Sequence, residues 1–276
     1  SKIFAQGCVM LDNLNSSKFE TGADFGKIGV QMTAAGSDWL AGLLKYRIWV
    51  ALGWLDIMQR YRRSVLGPIW LTLSTGIMVF AIGLIYAKLF RQEIADYMPY
   101  LGMGLILWLF ISTVLNEACS VFVSSEAMIK QVRLPLSVHV FRFVYRNLLI
   151  LLHNAVIAIA IIIWFQLPID ISILTVAPAL LLFLLFSFSF GFILGILAAR
   201  FRDSVHMIAS LTQLLFFLSP IMWKPEVLEE RAWVALYNPI THVINIVRLP
   251  LLGQGVPFLS WIIAVGSCAA LLGLAL

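Results

Sequence analysis

Charge is scarce in this sequence. Asp, Glu, Lys and Arg together make up 12% of it, against about 25% in an ordinary soluble domain, which excludes a globular protein with a fully solvated surface. Cysteine is sparse as well. Cys8, Cys119 and Cys268 are odd in number and two of them sit inside apolar runs, so neither a disulfide framework nor a zinc site is implied, and they read as packing residues. A nucleotide loop is missing: Gly22 to Gly29 approaches one, but the motif needs glycine where Thr21 stands and Ser or Thr where Ile28 stands. No paired carboxylates, positioned nucleophile or metal-ligand set stands out, so no catalytic residue and no metal site are assigned. The chain opens on Ser1 and stops within an apolar run at Leu276. One or both ends are expected to be incomplete, and no cleavable signal pattern opens the chain.

What the sequence has in abundance is apolar surface. Hydrophobic residues make up 61%, above the roughly 45 to 50% of soluble domains, and the runs are long enough to cross a bilayer repeatedly. The net charge of +5 does not imply nucleic acid, because the basic residues flank apolar spans rather than forming a patch with a reading module.

The stretch Gln59 to Trp70 organises the chain. Arg60, Arg62 and Arg63 would each cost roughly 2.5 to 3.5 kcal/mol in hydrocarbon and therefore mark a membrane face. Gly67 and Pro68 make a corner, and Pro68 is suited to the first turn of a new helix. Before this stretch, Ser37 or Asp38 caps an expected helix to about Arg63. Asp38, Lys45, Asp56, Arg60 and Arg63 form one polar stripe, and Trp39, Leu43, Val50 and Trp54 supply apolar surface. That pattern fits an amphipathic helix in the interface plane, the alternative being a soluble helix packed on the membrane domain.

Six spans are predicted: Ile69 to Leu89, Tyr100 to Val123, Leu148 to Phe165, Val176 to Ala199, Met207 to Trp223 and Phe258 to Leu276. Arg60, Arg62, Arg63, Lys130, Arg133, Arg142, Arg146, Arg200 and Arg202 fall on one side, and Lys88, Arg91, Lys224, Arg231 and Arg248 on the other, which places both termini in the cytoplasm. Ala232 to Leu252 is apolar but broken by Tyr237-Asn238-Pro239, Asn245, Arg248 and Pro250. It reads as an outer re-entrant helical hairpin or as an amphipathic surface loop. Ser125 to Val132 reads as a short helix, with Ser125 as cap, Glu126 in the first turn and Lys130 near the end. His139, Arg142 and Arg146 then form a basic stripe reaching toward headgroups. Asn116, Glu117, His153 and Asn154 lie near the inner interface and are expected to pair structurally. Ser187, Gly191 and Gly195 have the small-xxx-small spacing of a close helix contact.

Several short pieces, in order, resemble the permease subunits of ABC-2 type polysaccharide exporters such as those for O-antigen, capsule and teichoic acid. They are Tyr61-Arg62-Arg63-Ser64-Val65-Leu66-Gly67-Pro68-Ile69-Trp70, Arg133-Leu134-Pro135, Phe201-Arg202-Asp203, Ser219-Pro220-Ile221 and Tyr237-Asn238-Pro239-Ile240. The resemblance implies an all-α integral membrane protein of the bacterial inner membrane. Residues 1–36 would be a loosely ordered cytoplasmic segment, 37–66 an amphipathic interface helix and 67–276 a six-span domain with an outer re-entrant hairpin. It further implies a homodimer with two cytoplasmic ATPase subunits that carry the ATP and Mg, moving a lipid-linked polysaccharide outward. Under that resemblance Glu126, Met128, Ile129, Lys130 and Val132 couple to the ATPase, and Tyr237, Asn238 and Pro239 form the outer gate. Phe183, Phe186, Phe190, Phe216 and Phe217 stack on sugars in the channel or simply pack. Arg60, Arg62 and Arg63 anchor to lipid headgroups or also hold a substrate diphosphate. A membrane-embedded glycan- or lipid-modifying transferase and a passive channel are the alternatives.

Overall fold

A computed structural model describes residues 35–62, 69–226 and 233–276. Arg63, the Gly67-Pro68 corner and the segment before residue 35 lie outside the described residues. The helices are α1 (35–44), α2 (Tyr46–Tyr61), α3 (Ile69–Leu89), α4 (Ile94–Ala118), α5 (Glu126–Gln131), α6 (Leu136–Trp164), α7 (Val176–Arg200), α8 (Ser204–Leu218), α9 (Trp233–Tyr237), α10 (Pro239–Leu251) and α11 (Phe258–Ala275), with a 3-10 turn at Ile171–Thr175. No strand occurs among the described residues.

Five of these helices, α3, α4, α6, α7 with its preceding 3-10 turn, and α11, are long and apolar enough to cross a membrane. Helix α4 is the hub. It packs against α3, α6, α7, α8 and α10 and is buried along most of its length, whereas α3 and α11 present most of their surface outward. An apolar surface of that kind is stable only in lipid or against another chain. Close approach of α7 to its neighbours depends on the small residues noted above: a Cβ on Gly191 would sit 2.8 Å from Val140 Cγ1, and one on Gly195 would sit 2.9 Å from Phe122 Cδ2.

The observed boundaries differ from the expected ones for identifiable reasons. The predicted single helix from Ser37 is broken at Lys45, and Asp38 does not cap it. Its carboxylate instead accepts from the backbone N–H of Leu136 (3.1 Å) and of Ser137 (3.0 Å), capping α6 from 98 residues away. Helix α6 accordingly starts at Leu136 rather than Leu148. Helix α4 starts at Ile94, where Asp96 in the first turn suits the helix dipole. It stops at Ala118, where the Ser120 hydroxyl donates to Glu117 O at 2.7 Å. The predicted fifth span, Met207 to Trp223, is only partly helical. Helix α8 has 15 residues, a rise of about 22 Å against a hydrocarbon core of about 30 Å, and Ser219 and Pro220 continue it as buried, non-helical chain. The segment around Asn238 forms two short helices, α9 and α10, separated at Asn238-Pro239.

Candidate functional site

One end of the bundle carries an ionic cluster. Glu117, one residue before the end of α4, accepts from Arg60 Nη2 on α2 at 2.8 Å through one carboxylate oxygen and from Arg146 Nη2 on α6 at 2.7 Å through the other. Asp56 on α2 accepts from Arg142 Nε at 2.7 Å and from Arg146 Nη1 at 3.3 Å. Arg146 therefore bridges two carboxylates, and α2 is tied to both α4 and α6. The cluster is partly buried, with Asp56 at 13% and Glu117 at 23% side-chain exposure, so each ion pair is stronger than a solvated one and the loss of one member leaves charge stranded. Gly53 allows this approach: a Cβ there would lie 2.8 Å from the Tyr145 ring and 3.2 Å from Arg142 O.

These contacts correct two sequence expectations. Arg142 and Arg146 do not extend as a free basic stripe, because both are held by carboxylates, and His139 of that stripe is buried with neither ring nitrogen partnered. The partners of Glu117 are arginines and Asn147 rather than His153 or Asn154. His153 Nδ1 lies 2.7 Å from Leu149 O within its own helix, and Asn116 Nδ2 donates to Ser112 O. Of the three arginines expected at the membrane face, Arg60 joins the cluster, Arg62 is exposed at the end of α2, and Arg63 lies outside the described residues.

Helix α5 follows Glu117 after one compact turn and has no buried residue. Ser125 occupies its N-cap position, but its side chain makes no cap hydrogen bond. Lys130 Nζ donates to Glu126 Oε1, and this hydrogen bond holds the Glu126 carboxyl below its ordinary range. Met128 and Ile129 are half-buried and Val132 is exposed.

The other end of the bundle is held by a buried arginine. Arg248 on α10 is 2% exposed; its Nη1 donates to Pro220 O at 2.7 Å, its Nη2 to Asn245 Oδ1 at 2.6 Å, and its Cζ lies 4.1 Å over the ring of Tyr100. The Tyr100 hydroxyl donates to Pro220 O at 2.9 Å and the Tyr97 hydroxyl to Met222 O. The carbonyls freed where α8 stops thus find donors inside the protein, a condition for irregular backbone at membrane depth. Asn238 extends the same knot. Its Oδ1 accepts from Ile240 N at 3.0 Å as the N-cap of α10, and its Nδ2 donates to Ser219 Oγ at 2.9 Å. Pro239 occupies the first turn, where its missing N–H has no intrahelical role, and Tyr237 is largely exposed.

Between the two ends lies an apolar cavity of about 400 Å3 lined by α4, α7, α8, α10 and α11. Phe183, Phe186 and Phe190 line it, with Phe110 and Pro239. Phe216 and Phe217 do not: Phe216 packs on Trp108 with ring centres 5.6 Å apart, and Phe217 is 66% exposed on α8. The sequence reading missed Tyr97, Tyr100 and Arg248 as partners and counted Arg248 as an outer-loop charge. A basic residue between Asn245 and Pro250 inside an apolar run was the available signal.

Residues 47–252 match the family described as ABC-2 type transporter. Among relatives, the O-antigen export system permease protein RfbA of Myxococcus xanthus is 22% identical over 212 residues, covering 74% of this chain and 80% of the relative. Two proteins of the same description from Klebsiella pneumoniae are 22% and 24% identical over 191 residues, each covering 68% of this chain and 74% of the relative.

Proposed function

We propose that this chain, which belongs to the ABC-2 type transporter family, is the membrane-spanning permease subunit of an ABC exporter that moves a polysaccharide such as O-antigen across the membrane. It is a multi-pass membrane protein and a transporter component rather than an enzyme. The observation that carries this reading is the family match over residues 47–252, which spans both the ionic cluster and the Arg248 knot, together with relatives described as O-antigen export permeases.

The finer reading has six crossings. Tyr97 and Tyr100, in the first two turns of α4, hold the carbonyls of Pro220, Met222 and Trp223, which supports the view that α8 and its irregular extension together reach the level at which α4 begins. Helices α9 and α10 would then form the re-entrant hairpin on the outer side. With Arg248 buried, the outer loops keep Lys88, Arg91, Lys224 and Arg231 against nine basic residues on the opposite side, which supports cytoplasmic termini in the bacterial inner membrane. Two copies of the chain would pair with two ATPase subunits that bind ATP and Mg, and α5, which has no fully buried residue and is flanked by α4 and α6, is the element offered to the ATPase. The lipid-linked glycan would pass at the dimer interface beside Phe183, Phe186 and Phe190, with Arg60 and Arg62 at its inner mouth.

The test is capture and dependence. The purified chain should retain a separate ATPase subunit, and glycan should appear outside the inner membrane only when that ATPase can hydrolyse ATP. Export that continues with a hydrolysis-dead ATPase would overturn the reading.

A further inference from the structure

A second apolar cleft, of about 690 Å3, lies away from the proposed glycan path, between α1, α2, α6 and α7, with Leu272 of α11 at one wall. Its lining carries no charged residue. On the α6 side it runs from Phe141 to Leu148, seven residues or about 10 Å of helix. Its walls are fixed by aromatic contacts. Trp39 meets Phe188 edge to face at 5.0 Å, and Trp49 packs on Phe141 and Tyr145 at 5.7 Å each.

Two further observations say what fills it. Trp49, half-buried, lines the slot one helical turn past Lys45, and an indole ring suits the depth at which acyl chains meet headgroups. The break between α1 and α2 places Lys45 and Arg47 between the lining residues Leu43 and Trp49; both are exposed, and neither has a carboxylate partner among the described residues. An apolar slot, a lining tryptophan and an unneutralised basic pair at one rim match a phospholipid. The chain fills the slot against the Trp49 ring, and negative headgroup charge meets Lys45 and Arg47.

We propose that the cleft between α1, α2, α6 and α7 binds one acyl chain of an anionic phospholipid, with Trp49 packing against the chain and Lys45 and Arg47 holding its headgroup. The bound lipid wedges the α1–α2 pair against the bundle. It is a structural ligand, independent of the transported glycan.

The full chain is reconstituted in nanodiscs of phosphatidylcholine containing a small fraction of phosphatidylglycerol with a diazirine on its acyl chain, irradiated, and the labelled peptides are mapped by mass spectrometry. Peptides carrying Leu40 to Leu43 and Tyr145 to Leu148 should be labelled several-fold more than the peptide carrying Ile77 to Phe80 of α3, whose exposed side chains, Ile77 and Phe80, face outward. Unlabelled phosphatidylglycerol should compete and added phosphatidylcholine should not. Filling the slot by Leu184→Trp, or from the opposite wall by Leu43→Trp if the first variant folds poorly, should lower cleft labelling several-fold and leave α3 unchanged. Lys45→Gln with Arg47→Gln should abolish the preference for phosphatidylglycerol. Equal labelling of the cleft and α3, full labelling after the slot is filled, or equal competition by both lipids would overturn the proposal.

Discussion

Arg248 and Tyr100 share one acceptor: the guanidinium and the phenol hydroxyl both donate to the carbonyl of Pro220, at 2.7 and 2.9 Å, while the cation lies 4.1 Å over the ring. The arrangement satisfies a broken helix end and a buried cation together. Tyr100→Phe keeps the ring and removes one donor, and should destabilise the protein by about 1 to 2 kcal/mol. Arg248→Met removes the charge and both of its hydrogen bonds and should cost more, about 2 to 4 kcal/mol, because Pro220 O and Asn245 lose a charge-assisted donor. Thermal unfolding of the purified variants measures both. Wild-type unfolding of Arg248→Met would mean that the knot does not hold this end.

The ionic cluster predicts coupling between positions far apart in sequence. Glu117→Gln removes a counter-charge from Arg60 and Arg146, and Arg146→Met removes one from Glu117 and Asp56; each should destabilise by about 2 to 4 kcal/mol, somewhat less than a fully buried pair because solvent reaches the cluster. The double variant should lose clearly less than the sum of the two. Strict additivity in the double-mutant cycle would show that the two side chains do not interact in solution.

Helix α5 offers a separable test of the ATPase contact. Met128→Asp or Ile129→Asp should release the ATPase and stop export while the amount of permease in the membrane stays at the wild-type level, as expected if each is an anchor worth more than about 1 kcal/mol. Retained capture of the ATPase by both variants would remove α5 from the interface.

Topology is tested by labelling. Single cysteines at the exposed positions Lys130 and Arg200 should resist an impermeant reagent applied to intact spheroplasts, whereas cysteines at Glu93 and Asp170 should react. Cys8 is replaced by serine in every variant, and the native Cys119 and Cys268 are buried and should leave a low background. Reaction at 130 without reaction at 170 would invert the assignment.

The helical class and five of the six expected crossing runs were legible in the sequence because twenty apolar residues in a row have few other stable solutions. Partner choice was not. Arg142 and Arg146 read as headgroup anchors, since nothing in their own neighbourhood reveals that Asp56, 86 residues earlier, supplies the acceptor. Arg248 read as a loop charge for the same reason: its acceptor at Pro220 exists only because α8 stops there. Asn238-Pro239 was recognisable as a break because proline interrupts a continuous helix, whereas the N-cap that Asn238 places on α10 emerged only from the structure. The aromatic set divided, with Phe183, Phe186 and Phe190 on one stripe of α7 facing the cavity, while Phe217 on α8 faces outward.

The cap that Asp38 places on α6 also bears on the order in which the chain can assemble. Translation proceeds at about 5 to 20 residues per second, so the 98 residues between Asp38 and Leu136 separate their synthesis by roughly 5 to 20 s. During that interval α1 has no docking partner on α6, and the Asp38 carboxylate waits without the backbone donors it will accept from. Assembly of the α1–α2 pair is therefore a late event that waits for α6, and a nascent chain halted before residue 136 should leave residues 35–44 open to protease in a way that one halted after α7 does not.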